Sequence, residues 1–367
     1  MSRKVWLAID QMGVGGVGRS LTSWLPEMAA LADVTVVAQM SDGGLYRDTI
    51  TRHAAVFHPE NDRQLLSRLR QDKPHTFCND LVGGYVAITS EIRRHVPWLS
   101  CVLHTADGWS LSLVASDVAP LYDAVGVVAP SQGGAVQRAC GVQPICVENL
   151  LNIPDSLQSQ MQARAVLGLP LDGFLFGYAG RPCPDKGLGI VPQVLVDLLQ
   201  QQVDAHFVFV GAQEDGLGSV GSQRDAYLRD LSNLFASRGL QTRLHILKAR
   251  EDVQPVYRAL DATVLLSQHE GSPLLLWESL ACGTPFVSTD VGDVLDWFEP
   301  GLGCEVVSGA SSTLVQDATA ALLRIAYGKG DPTMCEARRS FCLQHKGIER
   351  WRRLYADNLA TLLGCNR

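Results

Sequence analysis

The chain has 367 residues, of which 46% are hydrophobic and 19% are charged. This composition is typical of a globular protein with a full core, and the length favours two domains of ordinary size. The formal net charge is −7. The sequence contains no basic stretch of the kind that neutralises a phosphate backbone, which argues against nucleic acid as a partner.

The sequence also bears on localisation and metal binding. No apolar run approaches the ~20 residues that a membrane-spanning helix needs, and the apolar part of the N-terminus is too short for a signal peptide. The 10 cysteines include no C-x-x-C pair, and no His/Cys cluster has metal-ligand spacing. We therefore expect a cytoplasmic protein with reduced thiols and no metal, and nothing in the sequence indicates membrane association.

Short apolar runs alternate with helical patterns along the whole chain. Continuous apolar strands separated by helices indicate parallel sheets covered on both faces. The pattern restarts after a polar, Pro-containing stretch at 153–156, which predicts domains at 1–155 and 165–345. The sequence thus predicts an α/β fold of two doubly wound, Rossmann-like domains that face each other across a cleft. Strands are predicted at 4–10, 34–39, 76–78, 100–104, 124–129, 174–178, 205–210, 243–246, 262–266 and 285–288.

An acidic segment follows the predicted strand at 262–266 and leads into a predicted helix at 276–282. It begins with Glu270, passes through a Gly-Ser-Pro turn and carries a second carboxylate at Glu278. The first N–H groups of a helix have no partner within it and carry the positive end of its dipole, so the arrangement predicts an anion site. Pro273 has no N–H and suits the first helical position.

The donors that face this anion site would be the amides of Leu274 and Leu275. A carboxylate before the site and another one turn inside the helix suit a ligand with a phosphate in the middle and hydroxyls at both ends. A nucleotide-sugar is such a ligand. The alternative interpretation is an acidic helix cap followed by a solvated Glu278.

The segment 270–285, which ends in Ala-Cys-Gly-Thr-Pro, resembles the E-x7-E block of the retaining glycosyltransferases of family 4, which have the GT-B fold. The resemblance implies that Glu270 contacts hydroxyls of the donor sugar and that Glu278 holds the ribose. It also implies that the last helical pattern, 346–367, crosses back to the first domain. The residues whose main chain would hold the diphosphate are Gly271, Ser272, Leu274 and Leu275.

A second block follows the predicted strand at 174–178 and contains Arg181 and Lys186. It resembles the family's G-R-x(n)-K-G block, which implies that both side chains flank the diphosphate. Because the family uses no metal, these cations would stabilise the charge that grows on the leaving diphosphate. The alternative is two solvated basic residues in a turn.

Two further features of the resemblance concern the ends of the donor. The loop that contains Lys248 stands where the family holds the nucleotide base, although the family usually has Gly at this place. The run 13–18 satisfies G-x-G-x-x-G, but the glycines do not follow the strand at once, so the dinucleotide pattern is weak. In the family, the Gly-Gly loop that includes Gly16 approaches the donor phosphate. Arg19 either contacts acceptor or phosphate or lies on the solvated face of the first helix.

His104 closes an apolar strand and is followed by Asp107 three residues on. Family members often carry a His there, near the reacting end of the sugar, and the alternative is a His hydrogen-bonded at a strand end. Asp107 either accepts a proton from the acceptor or caps the next helix.

The function implied is a retaining, metal-independent glycosyltransferase of the hexosyltransferase type. It would move a sugar from a UDP, GDP or ADP conjugate to an unidentified acceptor, which could be a glycan, a lipid-linked molecule or a small molecule. Same-face attack, in which the leaving phosphate takes the acceptor's proton, fits the lack of an evident nucleophile. Two alternatives stay open: a catalytically silent GT-B subunit that binds nucleotide-sugar, and an NAD-dependent dehydrogenase.

Overall fold

The computed structural model describes residues 2–40, 43–79, 83–105, 119–212, 218–310, 312–328 and 332–365. The chain divides into two units. The first unit comprises Met1–Leu150 and Ile348–Arg367, and the second comprises Leu151–Gly347. None of the helices in the described part of the chain is both long enough and apolar enough to cross a membrane.

The first unit contains a seven-stranded parallel sheet in the order β3-β2-β1-β4-β5-β6-β7. Its apolar strands are covered by helices, as expected for a parallel sheet. The strands are β1 (Arg3–Ile9), β2 (Ala32–Ala38), β3 (Ala55–Phe57), β4 (Thr76–Asn79), β5 (Ser100–Thr105), β6 (Ala124–Val127) and β7 (Ile145–Cys146). The helices are α1 (Gly16–Leu31), α2 (Arg47–Thr51), α3 (Asp62–Asp72), α4 (Gly83–His95), α5 (Gln132–Cys140) and α14 (Ile348–Leu362).

The C-terminal helix α14 is part of the first unit although it follows the second in sequence. Its buried side chains Trp351, Tyr355 and Leu359 belong to the same core cluster as side chains of β1 and β2. The indole N–H of Trp351 donates to the carbonyl of Glu148 at 2.7 Å, and the hydroxyl of Tyr355 donates to the carboxylate of the same residue. Apolar burial and these bonds together hold the helix in the unit.

The second unit contains a six-stranded parallel sheet in the order β10-β9-β8-β11-β12-β13. Apolar side chains of its strands and helices form the largest core cluster among the described residues. The strands are β8 (Phe174–Ala179), β9 (Ala205–Ala212), β10 (Leu244–Lys248), β11 (Ala262–Leu265), β12 (Phe286–Thr289) and β13 (Glu305–Val307). The helices are α6 (Gln160–Leu167), α7 (Val191–Gln200), α8 (Gly218–Ala236), α9 (Gln254–Ala259), α10 (Leu274–Ala281), α11 (Val294–Trp297), α12 (Leu314–Tyr327) and α13 (Pro332–Lys346).

Each of the ten predicted strands overlaps an observed one, and both sheets are parallel as predicted. Three observed strands were not predicted: β3, β7 and β13. All three stand at an edge of their sheet and have three residues or fewer. Such short edge strands carry too little apolar pattern to be recognised from sequence.

A buried ion pair joins α6 to the start of β11. The guanidinium of Arg164 donates to the carboxylate of Asp261 at 2.7 Å, and the two side chains are only 4% and 6% exposed. The same guanidinium also donates to the carbonyls of Ala259 and Leu171, each at 2.9 Å, and the N–H of Leu175 donates to the carboxylate at 2.7 Å. These bonds compensate the desolvation of both charges.

A histidine pair joins β9 to the edge strand β10. His206 Nδ1 lies 3.0 Å from His245 Nε2, and the guanidinium of Arg243 lies 2.9 Å from His206 Nε2. Because a guanidinium can only donate, His206 Nε2 is unprotonated in this arrangement. Burial, followed by the positive charges of Arg243 and His245, lowers the pKa of His206 below its ordinary value of 6.5, while Asp204 acts in the opposite direction.

Candidate functional site

The strand order of the second sheet reverses between β8 and β11, which lie side by side. Ligands of open parallel sheets bind outside the carboxyl ends of the strands at such a point. Arg181 and Lys186 follow β8, and Glu270 follows β11. The N–H of Gln268 donates to the carbonyl of Asp185 at 2.9 Å. The two loops that carry the predicted site residues are therefore joined directly at the switch point.

Lys186 and Glu270 form an ion pair at this point. The ammonium Nζ of Lys186 donates to Glu270 Oε1 at 2.9 Å, and the hydroxyl of Ser267 donates to the same oxygen at 2.7 Å. The side chains of Lys186 and Glu270 are 10% and 18% exposed. Among the described residues, no donor contacts the second carboxylate oxygen, Oε2. The described part of the protein thus holds one oxygen of Glu270 and places no donor on the other.

The ion pair fixes the charge of Lys186. Burial alone disfavours its ammonium form, but the charge and hydrogen bond of Glu270, together with Asp185, outweigh burial. The pKa of Lys186 is therefore raised above its ordinary value of 10.5. The carboxylate of Asp185 lies 3.3 Å from the same Nζ. Lys186 is a cation at neutral pH and can stabilise a negative ligand.

Arg181 lies within electrostatic range of this pair. The hydroxyl of Tyr178 donates to the main-chain carbonyl of Arg181 at 3.4 Å. Burial raises the pKa of Tyr178 well above its ordinary value, the charge of Glu270 raises it further, and the charge of Arg181 opposes both. Arg181 also disfavours the charged form of Lys186. Three of the residues predicted from the sequence are thus brought together.

Helix α10 begins at Leu274, and its first amides face no capping side chain from the preceding residue. The prediction that Pro273 is the first helical residue was wrong, because Pro273 precedes the helix with φ −71° and ψ 108° in the extended region. Proline has neither a side-chain acceptor nor an N–H, so it cannot satisfy the first-turn donors. The amides of Leu274 and Leu275 are therefore the first two of the helix, as an anion site requires.

The turn before the helix is held by the loop after β12. The N–H of Asp293 donates to the carbonyl of Gly271 at 3.0 Å. Gly292 has φ +60°, and a Cβ there would lie 2.4 Å from the same carbonyl oxygen. Only glycine fits this close approach. Gly271 and Ser272 are both buried, so the turn that carries the predicted diphosphate contacts is packed on the protein.

Glu278 lies in the fifth position of α10 and is 8% exposed. The hydroxyl of Tyr257 donates to Glu278 Oε2 at 2.7 Å. Burial and then the charge of Glu278 raise the pKa of the neighbouring Cys282 thiol to about 12. The carboxylate is thus an oriented charge within the protein, and the solvated side chain of the alternative interpretation is not what the structure has.

Three other residues predicted from the sequence are Lys248, Gly16 and His104. Lys248 is the exposed last residue of β10, at the carboxyl edge of the second sheet. Gly16 is the first residue of α1 in the first unit, with no atom within 4 Å of an added Cβ. His104 lies in β5 of the same unit, with its backbone paired to Gly126, and Asp107 lies outside the described residues.

Sequence reasoning missed Ser267 and Tyr257, which hold the two carboxylates. Ser267 lies two residues after β11 and three residues before Glu270, a position at which a hydroxyl could have been noticed. Tyr257 lies 21 residues before Glu278 in the sequence. No spacing rule connects a pair so far apart, so only the fold reveals it.

The family described as "Glycosyl transferases group 1" matches residues 159–324, which are less than half of the chain. The chain is 30% identical over 194 residues to D-inositol 3-phosphate glycosyltransferase 1 of Catenulispora acidiphila, which covers 52% of this chain and 44% of that protein. It is 33% identical over 176 residues to D-inositol 3-phosphate glycosyltransferase of Mycobacterium leprae, which covers 45% and 37%. The match thus spans less than half the length of these curated relatives.

Solved structures match over the whole chain. The crystal structure of Anabaena HepE in complex with UDP-glucose matches with a TM-score of 0.77 and 17% identity, over 98% of this chain and 99% of that one. Sucrose-phosphate synthase from Thermosynechococcus elongatus matches with a TM-score of 0.76 and 15% identity, over 99% and 100%. The chain has the GT-B fold. Its two parallel-sheet, Rossmann-like domains match those of GT-B glycosyltransferases, which confirms the predicted fold class.

Proposed function

We propose that this chain is a retaining glycosyltransferase of family 4 that moves a hexosyl group from a nucleotide-sugar to an acceptor hydroxyl. The observation that carries the proposal is the ion pair of Lys186 and Glu270 at the switch point of the second sheet. It combines a cation for the diphosphate with a carboxylate that keeps one oxygen for sugar hydroxyls. The match to "Glycosyl transferases group 1" at 159–324 and the likeness to a fold neighbour in complex with UDP-glucose support the same donor class.

The donor-binding roles follow the order of groups along α10. Glu270 Oε2 accepts from hydroxyls of the sugar, before the helix. The main chain of Gly271 and Ser272 and the first amides of α10 hold the diphosphate, where the helix dipole favours negative charge. Glu278, one turn inside, accepts from the ribose. The loop after Lys248 holds the base, at the carboxyl end of β10.

The reaction breaks the bond between the sugar C1 and the leaving phosphate oxygen. A bond from C1 to the acceptor oxygen forms on the same face, and the acceptor's proton passes to the phosphate oxygen. Negative charge grows on the diphosphate as the bond breaks. Arg181 and Lys186 stabilise that charge from positions that the fold has already set, and such preorganised electrostatic stabilisation lowers the barrier.

We further propose that no metal takes part, since the two cations supply the positive charge. The described residues include no group of three or more His, Cys, Asp or Glu that could hold a metal ion. Transfer that is unchanged by EDTA would support the absence of a metal from the reaction, and loss of activity that Mg²⁺ restores would contradict it.

For the first unit we propose acceptor recognition, with Gly16 and His104 among its contacts.

The proposal is tested by binding before any acceptor is known. UDP, GDP and ADP, their sugar conjugates and NAD(H) are titrated against the wild type and Glu278→Ala by calorimetry. We expect one nucleotide series to bind and its affinity to fall about 10- to 100-fold in Glu278→Ala, because a charge-assisted hydrogen bond is lost. Binding of NAD(H) alone would contradict the proposal.

Catalysis and stereochemistry need a second experiment. With the donor found in the titration, transfer or slow donor hydrolysis is followed by NMR, and the anomeric configuration of the first product is compared with that of the donor. We expect retention. Glu270→Gln should leave nucleoside diphosphate affinity at least as high as that of the wild type, since it removes a negative charge. Turnover should fall about 100-fold or more, because the variant alters a group that contacts the reacting sugar. Inversion would contradict the retaining mechanism, and equal turnover would contradict the role of Glu270.

A further inference from the structure

Tyr257 is placed to control the carboxylate of Glu278. Its hydroxyl donates to Glu278 Oε2 at 2.7 Å, and the two residues are 1% and 8% exposed. A carboxylate in such a buried place has its orientation set by the donors around it, because an oxygen left without a donor costs free energy. A carboxylate offers about four lone-pair sites, so the bond from this phenol is compatible with acceptance from a ligand hydroxyl.

The main chain of Tyr257 is held by hydrogen bonds at both its N–H and its carbonyl. Its N–H donates to the carbonyl of Val253 at 3.2 Å, and the hydroxyl of Thr284 donates to its carbonyl at 2.7 Å. Val253 directly precedes α9 and follows the loop 249–252, to which base binding is proposed. The phenol therefore links the loop for the base to the carboxylate for the ribose through a short, fixed segment.

The ring and the hydroxyl of Tyr257 have separable tasks. The ring belongs to the core cluster of the second unit, together with Leu276 and Leu280 of α10. Phenylalanine would keep this packing and remove the hydroxyl that donates to Glu278. A change confined to the hydroxyl thus tests orientation of the carboxylate without opening a cavity.

We propose that Tyr257 is a positioning residue, which orients Glu278 toward the ribose and so makes the site select ribonucleotides over 2′-deoxyribonucleotides. This inference rests on the proposed function. The 2′-hydroxyl and the 3′-hydroxyl of a ribose are neighbours, and a carboxylate of fixed direction accepts from both. A carboxylate that rotates binds a sugar with one hydroxyl nearly as well as a ribose with two. The 2′-hydroxyl then adds less to the affinity.

The test is calorimetric titration of UDP, GDP and ADP and their 2′-deoxy forms against the wild type and Tyr257→Phe. We expect the affinity for the preferred ribonucleotide to fall about fivefold to twentyfold, while that for its 2′-deoxy form changes by less than about twofold. A purely structural role of Tyr257 would lower both affinities by the same factor and leave their ratio unchanged. An unchanged ratio therefore overturns the inference and leaves the proposed function standing.

Two further variants keep the result interpretable. Tyr122→Phe is the matched control, because Tyr122 is also a buried tyrosine whose hydroxyl is hydrogen-bonded, to Asn79 at 3.1 Å and Thr89 at 3.0 Å in the first unit. It should leave the ratio unchanged. If Tyr257→Phe does not fold, Glu278→Gln is compared with the wild type, and an unchanged ratio there overturns the inference, because Glu278 would then not select the ribose. A wild type that binds none of the three nucleotides overturns both the proposed function and the inference.

Discussion

Gly187 joins the Lys186 loop to the end of β11, and we expect alanine there to damage stability and donor binding together. Gly187 has φ +68°, and a Cβ at this position would lie 1.9 Å from the carbonyl oxygen of Leu266 and 2.6 Å from its carbonyl carbon. Real Cβ atoms essentially never approach other atoms within 3.0 Å. The main chain must therefore move by about 1 Å, which is the difference between the contact of the added Cβ and this limit, and the packed interior opposes such a movement.

The magnitude follows from two separable costs. The left-handed conformation costs an L-residue about 1–2 kcal/mol, and overpacking adds about 1–3 kcal/mol, whereas lower entropy of the unfolded chain returns about 0.4–1 kcal/mol. We expect Gly187→Ala to lower the free energy of unfolding by about 1–5 kcal/mol. Gly168→Ala, at φ +66° with nothing within 4 Å, carries the conformational cost alone. Gly189→Ala meets nothing within 4 Å and has no such φ, so it should be nearly neutral.

The assay is urea unfolding of the three variants and the wild type, followed by titration with the nucleotide that binds. The ion pair adjoins Gly187 in sequence, and a displacement of about 1 Å can cost about 100-fold in function. We expect donor binding to fall in Gly187→Ala and to be unchanged in both controls. Equal destabilisation of Gly187→Ala and Gly168→Ala would refute the steric argument. Normal donor binding in a destabilised Gly187→Ala would refute the link to Lys186.

Three further predictions concern other parts of the second unit. Asp261→Ala breaks the buried ion pair and should lower unfolding free energy by about 3–5 kcal/mol, whereas Arg324→Ala, which removes an exposed pair, should cost at most about 1 kcal/mol; equal effects by urea unfolding would contradict this. Because the pKa of His206 is lowered, the unfolded chain binds more protons, so stability is full above pH 6.5 and is lost as pH falls through the lowered pKa. In thermal unfolding scans at several pH values, His206→Asn should lose less stability than the wild type as pH falls. An unchanged dependence of stability on pH would contradict the role of His206. Ser267→Ala should lower kcat/KM about 10-fold, with nucleoside diphosphate affinity within about twofold, because it removes one of the two donors that hold Glu270 Oε1; equal losses in both quantities would show a general structural effect.

The sheets were predictable because their central strands are continuous apolar runs. Phe174–Ala179 is almost entirely buried, and such a run can only be a strand covered on both faces or part of a buried helix. The edge strands had no such signal. The order of strands in each sheet was not predicted either. It depends on where each crossover connection places the next strand, and the local sequence pattern carries no information on this.

The geometry of the candidate site was predictable where its groups are close in sequence. Glu270 and the amides of α10 lie in one turn, so their proximity follows from the strand–turn–helix pattern. Lys186 and Glu270 are 84 residues apart. Only the resemblance to a family assigned both to one donor site, and it did not predict their ion pair. The donor that Tyr257 provides to Glu278 had no indication at all, since a tyrosine on a short helix is usually a core residue.

The two carboxylates of the acidic segment differ in their partners, and the difference bears on how the site treats a diphosphate. Glu278 faces a neutral phenol, whereas Glu270 faces a cation. The formal charges of Asp185, Lys186, Glu270 and Arg181 sum to zero. A diphosphate therefore meets no net attraction from these four side chains as a group, and binding depends on geometry: the cations and the first amides of α10 must be nearer to it than the carboxylates are. Ser267 and Asp185 matter for that reason, because each contacts a member of the ion pair and keeps its charged atom in place.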